Sequence, residues 1–459
     1  MESFLKNTQP LAAVSQAVSS LNITDPNLFR AARSPGMRAL FDALKSEPLS
    51  EAVINPAAMP VTTAPQADLI PIFDHISAGR PVADASFPRG TTFADGRLDM
   101  CKQVVGPEWI GDLTFAVRQG GAQAGVSHFL LGNNVVGDAG AGDIARMVTD
   151  PNGPHLETLY LAGNAFTAIG IRNLCDALVA DKTVKSLWLK RNPLGPDGAR
   201  YIGKMLAQNK TLEVLDLVNT GILDAGVEAL FEGLALNRTL RTLYLDANGL
   251  GRRAAVAIAR YFDTLKAKGD VGLTTLFVGI NRMRCEGAGM IADALAGYPH
   301  LRGFDLGANR IEGDGLDAIL TMAGSIPDLD CLELGLYKSA SDMGELPNWF
   351  GDDGAAKIAA YLRGADKLSV IKLNDTHIGG DGLALLGDAL EAKHNLYEMA
   401  SAQFGLKAPG LITRIERYLD RNVRAAFGYG LRTYRAGPLR DMRHGPNIPQ
   451  IDSIYRNAM

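Results

Sequence analysis

The chain is poor in cysteine, poor in aromatic residues and without long apolar runs. Its 459 residues include four cysteines (Cys101, Cys175, Cys285 and Cys331), far apart and with no CxxC pair. That spacing excludes a zinc ribbon and a small disulfide scaffold, and it suits a reducing compartment. No stretch of about 18 apolar residues occurs, so no transmembrane helix and no membrane partner are expected. The start, MESFLKNTQP, lacks a charged segment followed by an apolar one, so no secretory signal is expected. The expected location is the cytoplasm, with a secreted effector as the alternative. Charge of neither sign dominates: 46 basic side chains face 50 acidic ones, for a net charge of −4. Nothing global therefore favours nucleic acid as a partner.

Catalytic signatures are missing as well. There is no HExxH, GxSxG or Walker sequence, and no paired His/Cys spacing. The seven histidines are scattered; His155 and His300 fall just before a repeat's first leucine, and His128 sits alone on a strand. No catalytic residue, metal site or cofactor is expected, and the chain reads as a non-enzyme.

What the chain has is a repeat, and an excess of glycine (50 residues) that the repeat explains. LETLYLAGN begins at Leu156, VKSLWLKRN at Val184, LEVLDLVNT at Leu212 and LRTLYLDAN at Leu240. LTTLFVGIN follows at Leu273 and LRGFDLGAN at Leu301; VSHFLLGNN at Val126 is an earlier copy. LDCLELGLY at Leu329 and LSVIKLNDT at Leu368 are weaker copies, and Leu98 and Leu396 open degenerate ends. Start-to-start spacings are 28, 30, 28, 28, 28, 33, 28, 28, 39 and 28 residues, a solenoid period. Glycine clusters such as GPDG (195–198) and GGDG (379–382) recur in phase before each helical half, where a tight turn is needed.

The pattern L-x-x-L-x-L-x-x-N resembles a leucine-rich repeat, and the 28-residue unit with a full helix resembles the ribonuclease-inhibitor-like subtype. The resemblance implies an α/β solenoid, a horseshoe with an inner parallel β-sheet and outer helices. One repeat cannot bury its leucines alone; stacking buries them at ~1.5–3 kcal/mol each. Asn134, Asn164, Asn192, Asn248, Asn281 and Asn309 stand where the chain leaves each strand, positioned to satisfy backbone groups of adjacent turns as a ladder. Thr220 and Thr376 take that place in two copies. Tyr337 falls there in a third and cannot fill the slot, so a disturbance is expected.

Three regions are expected: an N-terminal helical and extended cap or arm over 1–97, ten to eleven repeats over 98–404, and a capping helix with a basic tail over 405–459. The last carries ten basic against four acidic side chains. Insertions lengthen two copies. One falls on the helical side, around 261–272. The other, near 338–350, falls between strand and helix and places Trp349 and Phe350 on a rim loop.

The residue between the second and third leucines points away from the core. That column reads Leu130, Tyr160, Trp188, Asp216, Tyr244, Phe277, Asp305, Glu333 and Lys372. The column two residues on includes Lys190 and Asp246 among mostly small residues. An open sheet face has nothing of its own to cover four rings, so exposure is expected unless a terminal arm folds in. Exposed aromatic clusters mark interaction sites. The expected function is a non-catalytic scaffold that recognises a protein or peptide on this concave face. Tyr160, Trp188, Tyr244 and Phe277 are the expected anchors, and Lys190, Asp216, Asp246, Asp305 and Glu333 the polar contacts. The alternatives are a regulator of a partner enzyme (an inhibitor, or GTPase-activating-like with Arg191 or Arg282 at the rim) and a bacterial effector or adaptor delivered to a host.

Overall fold

A strand of three residues has too few hydrogen bonds to persist alone, so the local structure of this chain depends on stacking. The computed structural model describes residues 62–336, 345–403 and 406–436. Their chain folds as two compact units, one of 62–248 with 270–273 and the other of 249–269 with the described residues from 274 to 436. Each is an α/β leucine-rich-repeat array of strand, turn and helix.

The N-terminal unit opens with helix α1 (Gln66–Ser77) and strands β1 (Ala85–Ser86), β2 (Thr91–Thr92) and β3 (Arg97–Asp99). These strands form an antiparallel meander. Helix α2 (Gly106–Ala124) follows, and α1 packs on it through Leu69, Ile72, Phe73 and Ile76. The repeats proper are β4 (His128–Leu130), α3 (Gly137–Val148), β5 (Thr158–Tyr160), α4 (Ala168–Leu178), β6 (Ser186–Trp188), α5 (Gly195–Leu206), β7 (Val214–Asp216), α6 (Leu223–Leu234) and β8 (Thr242–Tyr244). From β3 to β8 the strands are parallel, in chain order and in matching register, so Leu159, Leu187, Leu215 and Leu243 align on the core side. All four are 0% exposed.

The C-terminal unit continues with α7 (Arg252–Lys268), β9 (Thr275–Phe277), α8 (Arg284–Leu295), β10 (Gly303–Asp305), α9 (Gly313–Ser325), β11 (Cys331–Glu333), α10 (Gly351–Gly364), β12 (Val370–Lys372), α11 (Gly380–Ala392) and β13 (Glu398–Ala400). Here too β9 to β13 are parallel and consecutive. The helical-side insertion is absorbed by lengthening α7 to 17 residues, against 12 in α6. Helix α12 (Pro409–Phe427) covers the last repeat with Ile415, Leu419 and Val423, and α13 (Leu431–Ala436) packs on α12.

Two rows of polar side chains tie the repeats together. In the upper row, Asn192 Nδ2 donates to Leu161 O of the preceding repeat (3.0 Å) and Leu189 O of its own (2.8 Å). Its Oδ1 accepts from the backbone N–H of Asn164 (2.9 Å) and Phe166 (3.1 Å). Asn134, Asn164, Asn248, Asn281 and Asn309 are equally buried and make bonds of the same kind. Thr220 and Thr376 hydroxyls donate to Leu217 O and Leu373 O, doing part of that work. A lower row runs past the helix ends. There Asn209 donates to Leu178 O (2.7 Å), Asn237 to Leu206 O (2.8 Å), and Asn422 of α12 to Lys393 O (2.9 Å) and Leu396 O (2.8 Å). A buried backbone group left unpaired by the loss of such a bond costs ~1–3 kcal/mol.

Candidate functional site

In each strand the middle residue enters the core and the two flanking residues face outward. Register places Tyr160 beside Trp188, Trp188 beside Asp216, and Asp216 beside Tyr244 on the outward face of the N-terminal unit. The rings lie along the face. Tyr160 leans back over Gly132, where an added Cβ would meet Tyr160 Cε1 at 2.4 Å, so only glycine leaves room for it. Lys190 holds its ammonium 5.8 Å from the Tyr160 ring centre, within cation–π range. Trp188 sits 6.1 Å from Tyr160 and 5.6 Å from Tyr244. Two strand spacings, ~9.6 Å, separate the Trp188 and Tyr244 backbones, so these rings close over the intervening Asp216. Asp216 Oδ1 accepts from Val218 N (2.8 Å), which aims the carboxylate along its own strand.

Exposure differs from the sequence expectation. Tyr160, Trp188, Asp216, Tyr244 and Asp246 are 0, 2, 2, 3 and 4% exposed. Lys190 is half-buried beside them. At the edge of this face His128 bonds Thr158 through Nδ1 and the hydroxyl (3.1 Å). Burial first, opposed by the carboxylates of Glu157 and Asp95, holds the imidazole below its ordinary pKa.

The outward face of the C-terminal unit has a different chemistry. Phe277, Asp305 and Glu333 are 1, 0 and 1% exposed. Asp305 Oδ1 accepts from Gly307 N (2.7 Å), and Glu333 pairs with Lys372 (2.8 Å). Cys331 and Glu398 share this face and are 3 and 5% exposed.

The rim insertion re-enters the array at a residue that pattern matching passes over. Tyr337 lies outside the described residues, and the ladder slot is filled by Asn348. Its Nδ2 donates to Leu306 O (2.9 Å) and Leu334 O (2.8 Å), and its Oδ1 accepts from Asn309 N (2.9 Å) and Ile311 N (3.0 Å). A signal for it existed: Asn348 stands 28 residues before Thr376, one period counted backwards. Glu345, 1% exposed, bridges Arg282 (2.7 Å) and Arg310 (2.8 Å). Arg282 is thus held in a buried ion triad, whereas Arg191 is exposed. The Trp349 ring stacks on His377 with centroids 3.5 Å apart, and the Trp349 backbone N–H donates to Ile311 O (2.7 Å). Phe350 is buried at the start of α10. Both rim residues anchor the loop's return.

Among the described residues no group of three or more His, Cys, Asp and Glu is placed to hold a metal ion. No described helix is long and apolar enough to cross a membrane.

A family model described as a leucine-rich repeat matches residues 154–175 and 208–231, which contain β5 and β7 and the starts of the helices after them. No curated protein matches the chain. Among solved structures, actin-binding site 2 of leiomodin-1 is 17% identical, covering 39% of this chain and 92% of its own, with a TM-score of 0.30. The tropomodulin C-terminal domain of Caenorhabditis elegans is 15% identical, covering 39% of this chain and 98% of its own, with a TM-score of 0.29.

Proposed function

Since the chain is a leucine-rich-repeat protein, we propose that it is a non-catalytic scaffold that binds a protein or peptide along the outward face of its sheet. The observation that carries this reading is the composition of that face. Three aromatic side chains and two aspartates of the N-terminal unit, and three carboxylates with a phenylalanine in the C-terminal unit, occupy positions that core packing does not require. Aromatic anchors give contact area at low entropic cost, and carboxylates steer basic partners. The four cysteines are unbonded thiols, which supports a reducing compartment such as the cytoplasm.

The test is affinity purification with quantitative mass spectrometry, comparing the native chain with Trp188→Ala/Asp305→Ala and with Lys190→Glu. Circular dichroism checks that each variant keeps its fold. Partners should be lost from the double variant and reduced by the single one. Unchanged recovery of every partner by folded variants overturns the proposal.

A further inference from the structure

Arg414, Arg417, Tyr418 and Arg421 of α12 stand at i, i+3, i+4 and i+7, so they share one flank of the helix. Their three guanidinium carbons lie 5.8, 5.5 and 5.1 Å from the centre of the Tyr418 ring. Two of the three are held in place by α11. Arg414 pairs with Asp388 (2.8 Å). Arg421 donates to the carbonyls of Leu390 (3.0 Å), Glu391 (2.8 Å) and Lys393 (2.9 Å), where α11 ends. Hydrogen bonding to the Tyr418 side chain, then to Asp388, raises the Arg414 pKa, so its charge is permanent. Arg417 is exposed and, among the described residues, is in no salt bridge. Like charges gathered on one half-buried ring repel one another, and an anion placed among them removes that cost. Donors remain for it, since a guanidinium carries five N–H groups.

We propose that this flank of α12 binds an acidic segment of a protein partner, whose carboxylates bridge Arg417 to Arg414 and Arg421 across the Tyr418 ring. Arg414 and Arg421 are already fixed, so binding orders little more than Arg417. Arginine and tyrosine are also the residues enriched among interface anchors. The bordering charges select a peptide over a polyphosphate. Asp388, Glu391 and Asp420 each lie against an arginine of this helix. They would repel duplex DNA, which carries a negative charge every ~1.7 Å of its axis. A peptide can set its carboxylates singly, and Arg414 and Arg421 lie only ~10.5 Å apart along the helix axis. This surface belongs to the terminal helix and not to the sheet, so the proposal does not rest on the outward-face reading.

The test is fluorescence anisotropy of a labelled octaglutamate peptide with the full chain at low ionic strength. The native chain should bind it, and added salt should weaken the binding. Arg417→Glu, at an exposed position, should weaken it about tenfold. Arg417→Lys, which keeps the charge and loses the planar fork, should weaken it about threefold. Arg200→Glu, at an exposed position on α5, should leave it unchanged and so controls for net charge. No binding by the native chain overturns the proposal, as does full binding by Arg417→Glu or equal weakening by Arg200→Glu. Tighter binding of a single-stranded oligonucleotide of equal charge overturns it and assigns the flank to nucleic acid. Self-association of the native chain in sedimentation, abolished by Arg417→Glu, overturns it and assigns the flank to a second copy. Octaglutamate binding kept by Trp188→Ala/Asp305→Ala, with its partners unchanged, would count against the outward-face reading alone.

Discussion

The repeat beginning at Val184 and the one beginning at Leu329 solve the same problem at different lengths. The first brings Asn192 to the ladder at its ninth residue; the second brings Asn348 there eleven residues later than the pattern prescribes. Both asparagines nevertheless make the same four bonds, two accepted and two donated, within 2.8–3.1 Å. The array constrains which atoms arrive, not how many residues intervene. The longer route adds one device that the regular repeat lacks, the Glu345 bridge between Arg282 and Arg310.

The largest expected effect tests that device. Glu345→Ala leaves two buried guanidinium groups without their shared carboxylate, and should cost ~3–5 kcal/mol in urea unfolding. Glu345→Gln, which keeps hydrogen-bonding capacity, should cost less. A loss under ~1 kcal/mol for the alanine variant would mean that the triad does not hold the insertion. Next come Asn192→Ala and Asn348→Ala, each removing four buried bonds at ~1 kcal/mol net apiece. Their losses should agree to within ~1 kcal/mol if the two repeats are equivalent at the ladder; a much smaller loss at Asn348 would break the comparison. Trp349→Ala should cost ~1–2 kcal/mol through the lost His377 stack and ring burial, and should speed proteolysis in the insertion.

The smallest effect lies at the edge of the other unit. Burial lowers the folded-state pKa of His128 below its unfolded value. Between those two values the unfolded chain binds more protons, so stability falls as pH drops through the unfolded pKa of ~6.5. His128→Gln should flatten the dependence of melting temperature on pH over that window. An unchanged slope would show that His128 is not its source.

Much of this was legible in the sequence. The 28-residue period and the leucine spacing foretell parallel strands in register, because each copy must bury the same three positions against the next. The outward column from Tyr160 to Lys372 follows from two-residue alternation alone. Burial of that column was not legible, because it depends on how rings such as Trp188 lean across strands and on what lies over the face. Asn348 was hidden by reading the repeat only forwards, past Tyr337. Asn209 and Asn237 sit one period apart but outside the leucine motif. Glu345 had no signal at all, since its two arginine partners lie 63 and 35 residues away.

The direction of the ladder bonds has a consequence for how such a chain can grow. Each asparagine serves the repeat before it, so cutting the array after the copy that begins at Leu156 would leave the N–H groups of Asn164 and Phe166 without the Asn192 acceptor. The end of the array meets this need with a borrowed residue: Gln403 Nε2 donates to Leu373 O (2.7 Å), and its Oε1 accepts from Ile378 N (3.2 Å). Duplication or loss by recombination is therefore tolerated when the exchanged segment runs from one ladder residue to the next, whatever its length in between. The 39-residue interval between Asn309 and Asn348 is as admissible a unit as the 28-residue one.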